Sequence, residues 1–401
     1  MKKTFLQRLL RVKFSDLIHI PLFLLALLPS IIYKHCSQPF WLICDYQNEA
    51  RDNGYYFFKY MIDQHPEQRV VYAINKKSPD FKIVKDLGET VHYGSFKHWI
   101  LYLAAEINIS SQKGGKPNAA ICYILEVYNI LKNKRVFLQH GIIKNDLPYI
   151  HYKNAKFSLF TVSTEREFQY VNNHFGYPEG IVKKIGLCRF DSLIDQSDNN
   201  TILVMPTWRQ WIASYDFKAK NVEAYTDFST TEYYKKWFEL LTSPELNKLL
   251  IHYNKKIIFY PHRNMQPYIN DFKSINNDNI IIANWPDYDV HSLLKSSSLL
   301  ITDYSSVAMD FAYLNKPVIY YQFDYEKFRN HHAEEGYYSY ENDGFGPIHK
   351  NNQDLIKCIE DYIMMNFKNN NLYLDRINSF FDIRDKNNCE RTFKEIMNLR
   401  G

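Results

Sequence analysis

Residues 299–314 read Leu-Leu-Ile-Thr-Asp-Tyr-Ser-Ser-Val-Ala-Met-Asp-Phe-Ala-Tyr-Leu. Leu299–Thr302 is an apolar run of strand length, and Val307–Leu314 has the apolar period of a helix. Between them stand Asp303, Tyr304, Ser305 and Ser306. A fully apolar strand that turns at once into a helix belongs to a parallel sheet covered on both faces. Two serines at the helix start offer hydroxyls, unpaired backbone N–H groups and the positive end of the helix dipole, which together suit an anion. The same serines could instead cap the helix, a role worth about 1 kcal/mol that needs no ligand. Asp310 lies four residues after Ser306 and so faces the same side.

The same pattern recurs outward in both directions. Strands are expected at Phe40–Tyr46, Val70–Asn75, Ile107–Ser111, Arg135–Leu138 and Phe157–Ser163, with helices at Glu49–Gln64, Phe96–Ala105, Asn118–Lys132 and Glu165–Phe175. A second series has strands at Ile202–Met205, Lys256–Tyr260, Ile280–Ala283, Leu299–Thr302 and Val318–Tyr321. Its helices are expected at Thr231–Leu241, Val290–Lys295, Val307–Leu314, Asp354–Met365 and Asn388–Asn398. The polar, unpatterned stretch Asp195–Thr201 is the natural linker. The expected fold is α/β, with two facing Rossmann-like domains and an interdomain cleft. The expected boundaries are 1–36 for a membrane-associating segment, 37–195 for an N-terminal acceptor-side domain and 196–375 for a C-terminal donor domain. Residues 376–401 would form a helical segment packing back on the N-terminal domain.

In open α/β sheets ligands bind beyond the carboxyl ends of the strands, so the residues that follow each strand are the candidates. Arg135–Leu138 is followed by Gln139, His140 and Gly141. A histidine there can exchange a proton near neutral pH, and glycine lets a substrate approach the backbone. Ile202–Met205 runs into Pro206, Thr207, Trp208 and Arg209; an arginine fork suits phosphate. Lys256–Tyr260 runs into Pro261, His262 and Arg263.

The 401 residues exceed what one core usually organises, and 46% are hydrophobic. Aromatic residues reach 16%, which argues against disorder. A net charge of +5 fits anionic substrates or anionic lipid, and no basic-aromatic stripe points to nucleic acid. Six cysteines without a paired CxxC spacing read as reduced thiols rather than zinc ligands. At the N-terminus, Lys2, Lys3, Arg8, Arg11 and Lys13 stand beside Phe5, Leu9, Leu10 and Phe14, and an apolar run from Leu17 to Tyr33 follows. The run carries Pro21 and Pro29 and reads as shorter than a spanning helix requires. It is expected to be an interfacial anchor rather than a signal peptide or a span, with a buried hairpin packing on the first domain as the alternative.

Together Gln139-His140-Gly141, Met205–Arg209, Pro261-His262 and above all Leu300–Ser306 with Asp310-Phe311-Ala312 resemble the CDP-glycerol glycerophosphotransferase family of teichoic-acid polymerases and primases. Asp52-Asn53-Gly54, Lys316-Pro317-Val318 and the Gly344–Pro347 loop resemble it as well. The resemblance implies a GT-B-like architecture, no cofactor and no metal built into the site. It implies catalytic histidines at His140 and His262, and donor or phosphate contacts from Gly141, Ile142, Ile143, Lys144, Thr207, Arg209, Arg263, Asp303, Ser305, Ser306 and Asp310. The implied reaction moves a polyol phosphate, glycerol phosphate first, from a CDP-activated donor to a hydroxyl of a lipid-linked saccharide or polymer, with release of CMP. It would serve teichoic-acid or capsular polysaccharide synthesis at the cytoplasmic face of the cell membrane, with the enzyme held peripherally on the membrane surface. Ile142 stands where the family often has Thr, and Tyr260 where it often has Arg. A nucleotide-sugar transferase of the same architecture, and a non-catalytic scaffold of a capsule assembly complex, are the rival readings.

Overall fold

The computed structural model of the chain describes residues 12–213, 227–332 and 335–400. The basic residues Lys2, Lys3, Arg8 and Arg11 and the apolar Phe5, Leu9 and Leu10 lie outside them. The chain forms two compact units. Unit 1 holds residues 1–142, 147–192 and 383–401, and unit 2 holds 143–146 and 193–382. The long division between them falls at Ser192, three residues before the expected linker, and the C-terminal return to unit 1 begins at Ile383.

Unit 1 is built on a seven-stranded, wholly parallel sheet: β1 Trp41–Cys44, β2 Val70–Ile74, β3 Thr90–His92, β4 Ile107–Ser110, β5 Lys134–Phe137, β6 Leu159–Val162 and β7 Val182–Lys184. Its order is β3-β2-β1-β4-β5-β6-β7. Unit 2 carries six parallel strands: β8 Thr201–Val204, β9 Lys256–Phe259, β10 Ile280–Ile282, β11 Leu299–Thr302, β12 Val318–Tyr321 and β13 Ile348–His349, in the order β10-β9-β8-β11-β12-β13. Both sheets reverse direction of growth beside their first strand, between β1 and β4 and between β8 and β11. Such a switch point opens a crevice at the strand ends. The central strands β1, β2, β6, β11 and β12 are buried at every position, which is why they read as unbroken apolar runs.

The short strands β3, β7 and β13 were not apparent as apolar runs. All lie at sheet edges and have two or three residues, of which only Val91 and Val182 are buried. The helix expected over 118–132 stops at Val127, because Asn129 turns left-handed at φ 58° and ends it. The N-terminal apolar run departs most from expectation. It forms one continuous helix, His19–Cys36, that passes through Pro29. Pro21 sits in the first turn, where its missing N–H has no helical partner to lose. Among the described residues one helical stretch, 14–36, is long and apolar enough to cross a membrane.

That helix is fastened along unit 1. Phe23, Ala26 and Ser30 form its buried stripe, and Phe23 packs on Trp99 of the Phe96–Ala104 helix with ring centroids 5.6 Å apart. Near its start Trp99 Nε1 donates to His19 Nδ1 at 3.1 Å, and just before it Asn118 Nδ2 donates to Asp16 Oδ1 at 2.9 Å. Near its end Arg69 donates to the Tyr33 hydroxyl at 2.9 Å while pairing with Glu89. The opposite face leaves Leu24, Leu25, Leu28, Ile31 and Ile32 exposed.

Candidate functional site

In unit 1 the switch point is organised by Asp45, the buried residue that follows β1. Its carboxylate accepts from the backbone N–H groups of Asp52, Gly54 and Tyr55 at 3.1, 2.8 and 3.0 Å. It also accepts from the hydroxyls of Tyr72 at 2.9 Å and Ser111 at 2.5 Å. A side chain on Gly54 would begin 2.4 Å from Asp45 Oδ1, so only glycine allows this approach. Burial first, and then the charge of Asp52, push Asp45 up to about 7, against the pull of its hydrogen bonds. The sequence pattern did not single out Asp45; its only signal is its place directly after an apolar strand.

Asn53, held by this cradle, donates through Nδ2 to the Gln139 carbonyl at 2.8 Å and accepts from the Arg189 N–H at 3.0 Å. Gln139 is left-handed at φ 62°, a strained conformation for a residue with a side chain. Its side-chain amide donates to the Thr161 carbonyl, so the strain is held from both sides. The turn presents His140 beyond the end of β5. The His140 ring reaches solvent while protein atoms crowd around it. Crowding lowers its pKa below the ordinary histidine value; Asp52 opposes this, Arg189 adds to it, and a hydrogen bond to the Ser111 backbone opposes it.

The buried Gly141 and Ile142 follow, and at Ile143 the chain enters unit 2 for four residues. There Lys144 is buried. Its ammonium donates to the carbonyls of Tyr304 at 2.7 Å and Ser305 at 3.2 Å and to the Tyr340 hydroxyl at 2.7 Å. Burial, with Arg329 nearby, pushes Lys144 down to about 7, and Asp303 resists. Lys144 thus grips the serine turn by its backbone.

In unit 2, β8 and β11 are neighbours, so the residues that follow them meet. Arg209 is completely buried. Its guanidinium pairs with Asp324 at 2.7 and 3.0 Å and with Asp303 at 2.8 Å, and donates to the Thr207 carbonyl at 2.8 Å. Burial alone would lower its pKa, but Asp303 and Asp324 hold it above the ordinary value. The fork expected to face a phosphate is therefore spent on two carboxylates. The sequence could not show this, because Asp324 lies 115 residues away. Asp303, also buried, accepts from the N–H groups of Thr207 at 2.8 Å and Tyr304 at 2.6 Å, and so shapes the turn rather than meeting an anion.

At and beside that turn the candidates for a ligand are Ser305, Ser306 and Thr207. Ser305 accepts weakly from the Val307 N–H at 3.3 Å, and Ser306 makes no side-chain cap bond. The Thr207 hydroxyl is buried with no hydrogen-bond partner in the structure. Such an orphan fits a site completed by ligand. His262 follows β9, and its Nδ1 accepts from the Asn264 N–H at 3.1 Å. An N–H can only donate, so the neutral His262 ring carries its proton on Nε2. Trp208 stacks along it at 6.2 Å. Arg263 lies over the Trp285 ring, 3.4 Å from its centroid, and Asp310 is buried in the Val307–Tyr313 helix. Arg329, which sequence reasoning passed over, donates to Asn145 Oδ1 at 3.2 Å, and its carboxylate partner Glu335 is 3.8 Å away and largely exposed. Nothing in its own stretch of sequence marked it. Among the described residues no cluster of histidine, cysteine and carboxylate side chains could hold a metal ion.

The family model described as CDP-glycerol:poly(glycerophosphate) glycerophosphotransferase matches residues 30–398. The minor teichoic acid biosynthesis protein GgaB of Bacillus subtilis is 32% identical over 372 residues, which cover 90% of this chain and 40% of that protein. The teichoic acid poly(glycerol phosphate) polymerase of Bacillus spizizenii is 26% identical, over 66% of this chain and 53% of the polymerase. The chain thus spans about half or less of the length of these relatives. The solved structure of the wall teichoic acid polymerase TagF superposes with a TM-score of 0.66 at 16% identity, covering 99% of this chain and all of that one. The fold is therefore that of TagF, two Rossmann-like domains of the GT-B kind. A UDP-GlcNAc 2-epimerase from Neisseria meningitidis bound to UDP-GlcNAc has a related fold, with a TM-score of 0.51, 11% identity, and coverage of 90% of this chain and all of that one.

Proposed function

The chain belongs to the CDP-glycerol:poly(glycerophosphate) glycerophosphotransferase family, and from that premise we propose that it transfers glycerol phosphate from CDP-glycerol to a hydroxyl of a lipid-linked teichoic-acid or capsular acceptor. The acceptor oxygen forms a bond to the β-phosphorus as the bond to the bridging oxygen breaks, and CMP leaves. Phosphoryl transfer chiefly needs positioning and charge stabilisation.

The observation that carries the reading is that a histidine stands just beyond a strand of each parallel sheet, His140 after β5 and His262 after β9. His140, which crowding keeps below the ordinary histidine value, takes the acceptor's proton. His262, with Nδ1 occupied by the Asn264 N–H, donates from Nε2 to the phosphate or the departing CMP oxygen. Ser305, Ser306 and Thr207 hold the diphosphate with Arg329 supplying charge, while Arg209, Asp303 and Lys144 keep the turn in shape. Gly141, Ile142 and Ile143 carry the backbone past the reacting groups, Arg263 on Trp285 lines the donor side, and Asp310 braces the serine helix. The N-terminal helix, tied to polar groups of unit 1 at both ends, lies in the membrane surface rather than across it. Six free cysteines fit the cytoplasmic side.

The test offers purified protein a panel of CDP-glycerol, CDP-ribitol and UDP-sugars with a short acceptor, and follows CMP or UDP release. CMP release dependent on acceptor and greatest with CDP-glycerol is expected. UDP release from a UDP-sugar would make the protein a sugar transferase, which the related fold of the epimerase allows.

A further inference from the structure

Unit 1 contains an apolar cavity of about 670 Å³ outside the strand-end residues. The N-terminal helix supplies Leu24 and Leu27, and Leu103, Ile124, Leu125 and Ile130 line it from the rest of unit 1. Its volume is in the range of sites that enclose a small-molecule ligand, about 300–1,000 Å³. Apart from Lys132 and Asn133 its lining is wholly apolar. Asn133 spends its amide on the Tyr102 carbonyl at 2.8 Å. Lys132 is exposed and has no carboxylate partner among the described residues.

Two features say what would enter. Leu24 and Leu27 line the cavity and are themselves exposed, so the cavity is continuous with the apolar face of the N-terminal helix. Among the described residues of unit 1 nothing covers that apolar face, and it suits hydrocarbon. Among the described lining residues the one charged side chain is Lys132, complementary to a phosphate headgroup. We propose that the cavity receives one acyl chain of an anionic membrane phospholipid, with Lys132 facing its phosphate. The chain would fix the depth and rotation of unit 1 on the bilayer. This rests on the reading of the N-terminal helix as lying in the membrane surface.

The experiment incubates the full chain with phosphatidylglycerol vesicles that contain a phospholipid with a photoactivatable group in mid-chain, and maps the labelled peptides. Labelling of Leu103, Ile124 and Leu125 is expected, in addition to the outer face of the helix. Ile124→Trp with Leu125→Trp fills the cavity and should lower its labelling about tenfold while leaving Leu28 and Ile31 labelled. Lys132→Glu, at an exposed position that folding tolerates, should weaken cavity labelling about fivefold with anionic vesicles and not with neutral ones. Vesicle binding with label on the outer face alone would overturn the inference and leave the membrane reading standing. So would cavity labelling that appears only after residues 1–11 are removed, because the chain's own start would then be the occupant. Absence of vesicle binding would overturn both.

Discussion

A neutral imidazole has one proton, and the hydrogen bond on one nitrogen decides what the other can do. At His262 the Asn264 N–H occupies Nδ1 and leaves the proton on Nε2, while His140 is crowded below the ordinary histidine value, and we propose different roles for the two. His140→Ala and His262→Ala should each lower kcat about 100-fold or more, the usual range for acid–base groups, with folding intact. Because crowding lowers the His140 pKa, its basic form prevails at neutral pH. The acid limb of the rate profile should therefore fall below the ordinary histidine value, and should vanish in His140→Ala. A profile with its acid limb above that value would remove His140 as the base. Ser306 and Arg209 separate binding from folding. Ser306 caps nothing, so Ser306→Ala should leave thermal unfolding in place and weaken CDP binding about tenfold. Arg209→Ala strips the buried Asp303 and Asp324 of their partner and should cost about 3–5 kcal/mol of stability, read by denaturant unfolding. An unfolding midpoint unchanged in Arg209→Ala would return the guanidinium to the phosphate.

At the scale of elements, the N-terminal helix that we propose lies in the membrane surface is also part of unit 1. Deleting it would uncover Phe40, Trp99 and their neighbours, so its removal tests folding as much as anchoring. Changing Leu25, Leu28, Ile31 and Ile32 together to Gln touches only the exposed face. This variant should lose sedimentation with anionic vesicles and keep its melting behaviour, since exposed substitutions usually cost within about 0.5 kcal/mol each. Cleavage of the N-terminus by protease added outside intact cells would show a span instead. The helix itself was legible as an apolar run, but its continuity through Pro29 was not. A proline inside a helix costs about 3 kcal/mol through the lost hydrogen bond and the ring's clash with the preceding turn, and only the packing of Phe23, Ala26 and Ser30 on unit 1 shows what offsets it. The short helix that carries Ser305 and Ser306 was legible in full, because an apolar strand, a polar turn and an apolar-periodic helix are all local signals.

At the scale of the whole molecule, two parallel sheets repeat one strand order, and each puts its candidate residues after the strands at or beside its switch point. The C-terminal helix Asn388–Asn398 closes unit 1: Asp191 accepts from the Asn388 and Cys389 N–H groups at 2.9 and 2.8 Å, and Arg391 donates to the Ile185 carbonyl at 2.8 Å. Read alone, the sequence determined the α/β class, the strands whose positions are buried on both faces, and the histidines and serines that follow those strands. Each of these is written within about ten consecutive residues, the reach of hydrophobic period and turn chemistry. Tertiary structure alone decided which polar groups are left for a ligand. Asp324 takes Arg209 from 115 residues away and Lys144 reaches the Tyr304 carbonyl across 160, while the Thr207 hydroxyl is left without a partner. A buried charge binds whatever opposite charge folding brings beside it, and sequence separation carries no information about that distance.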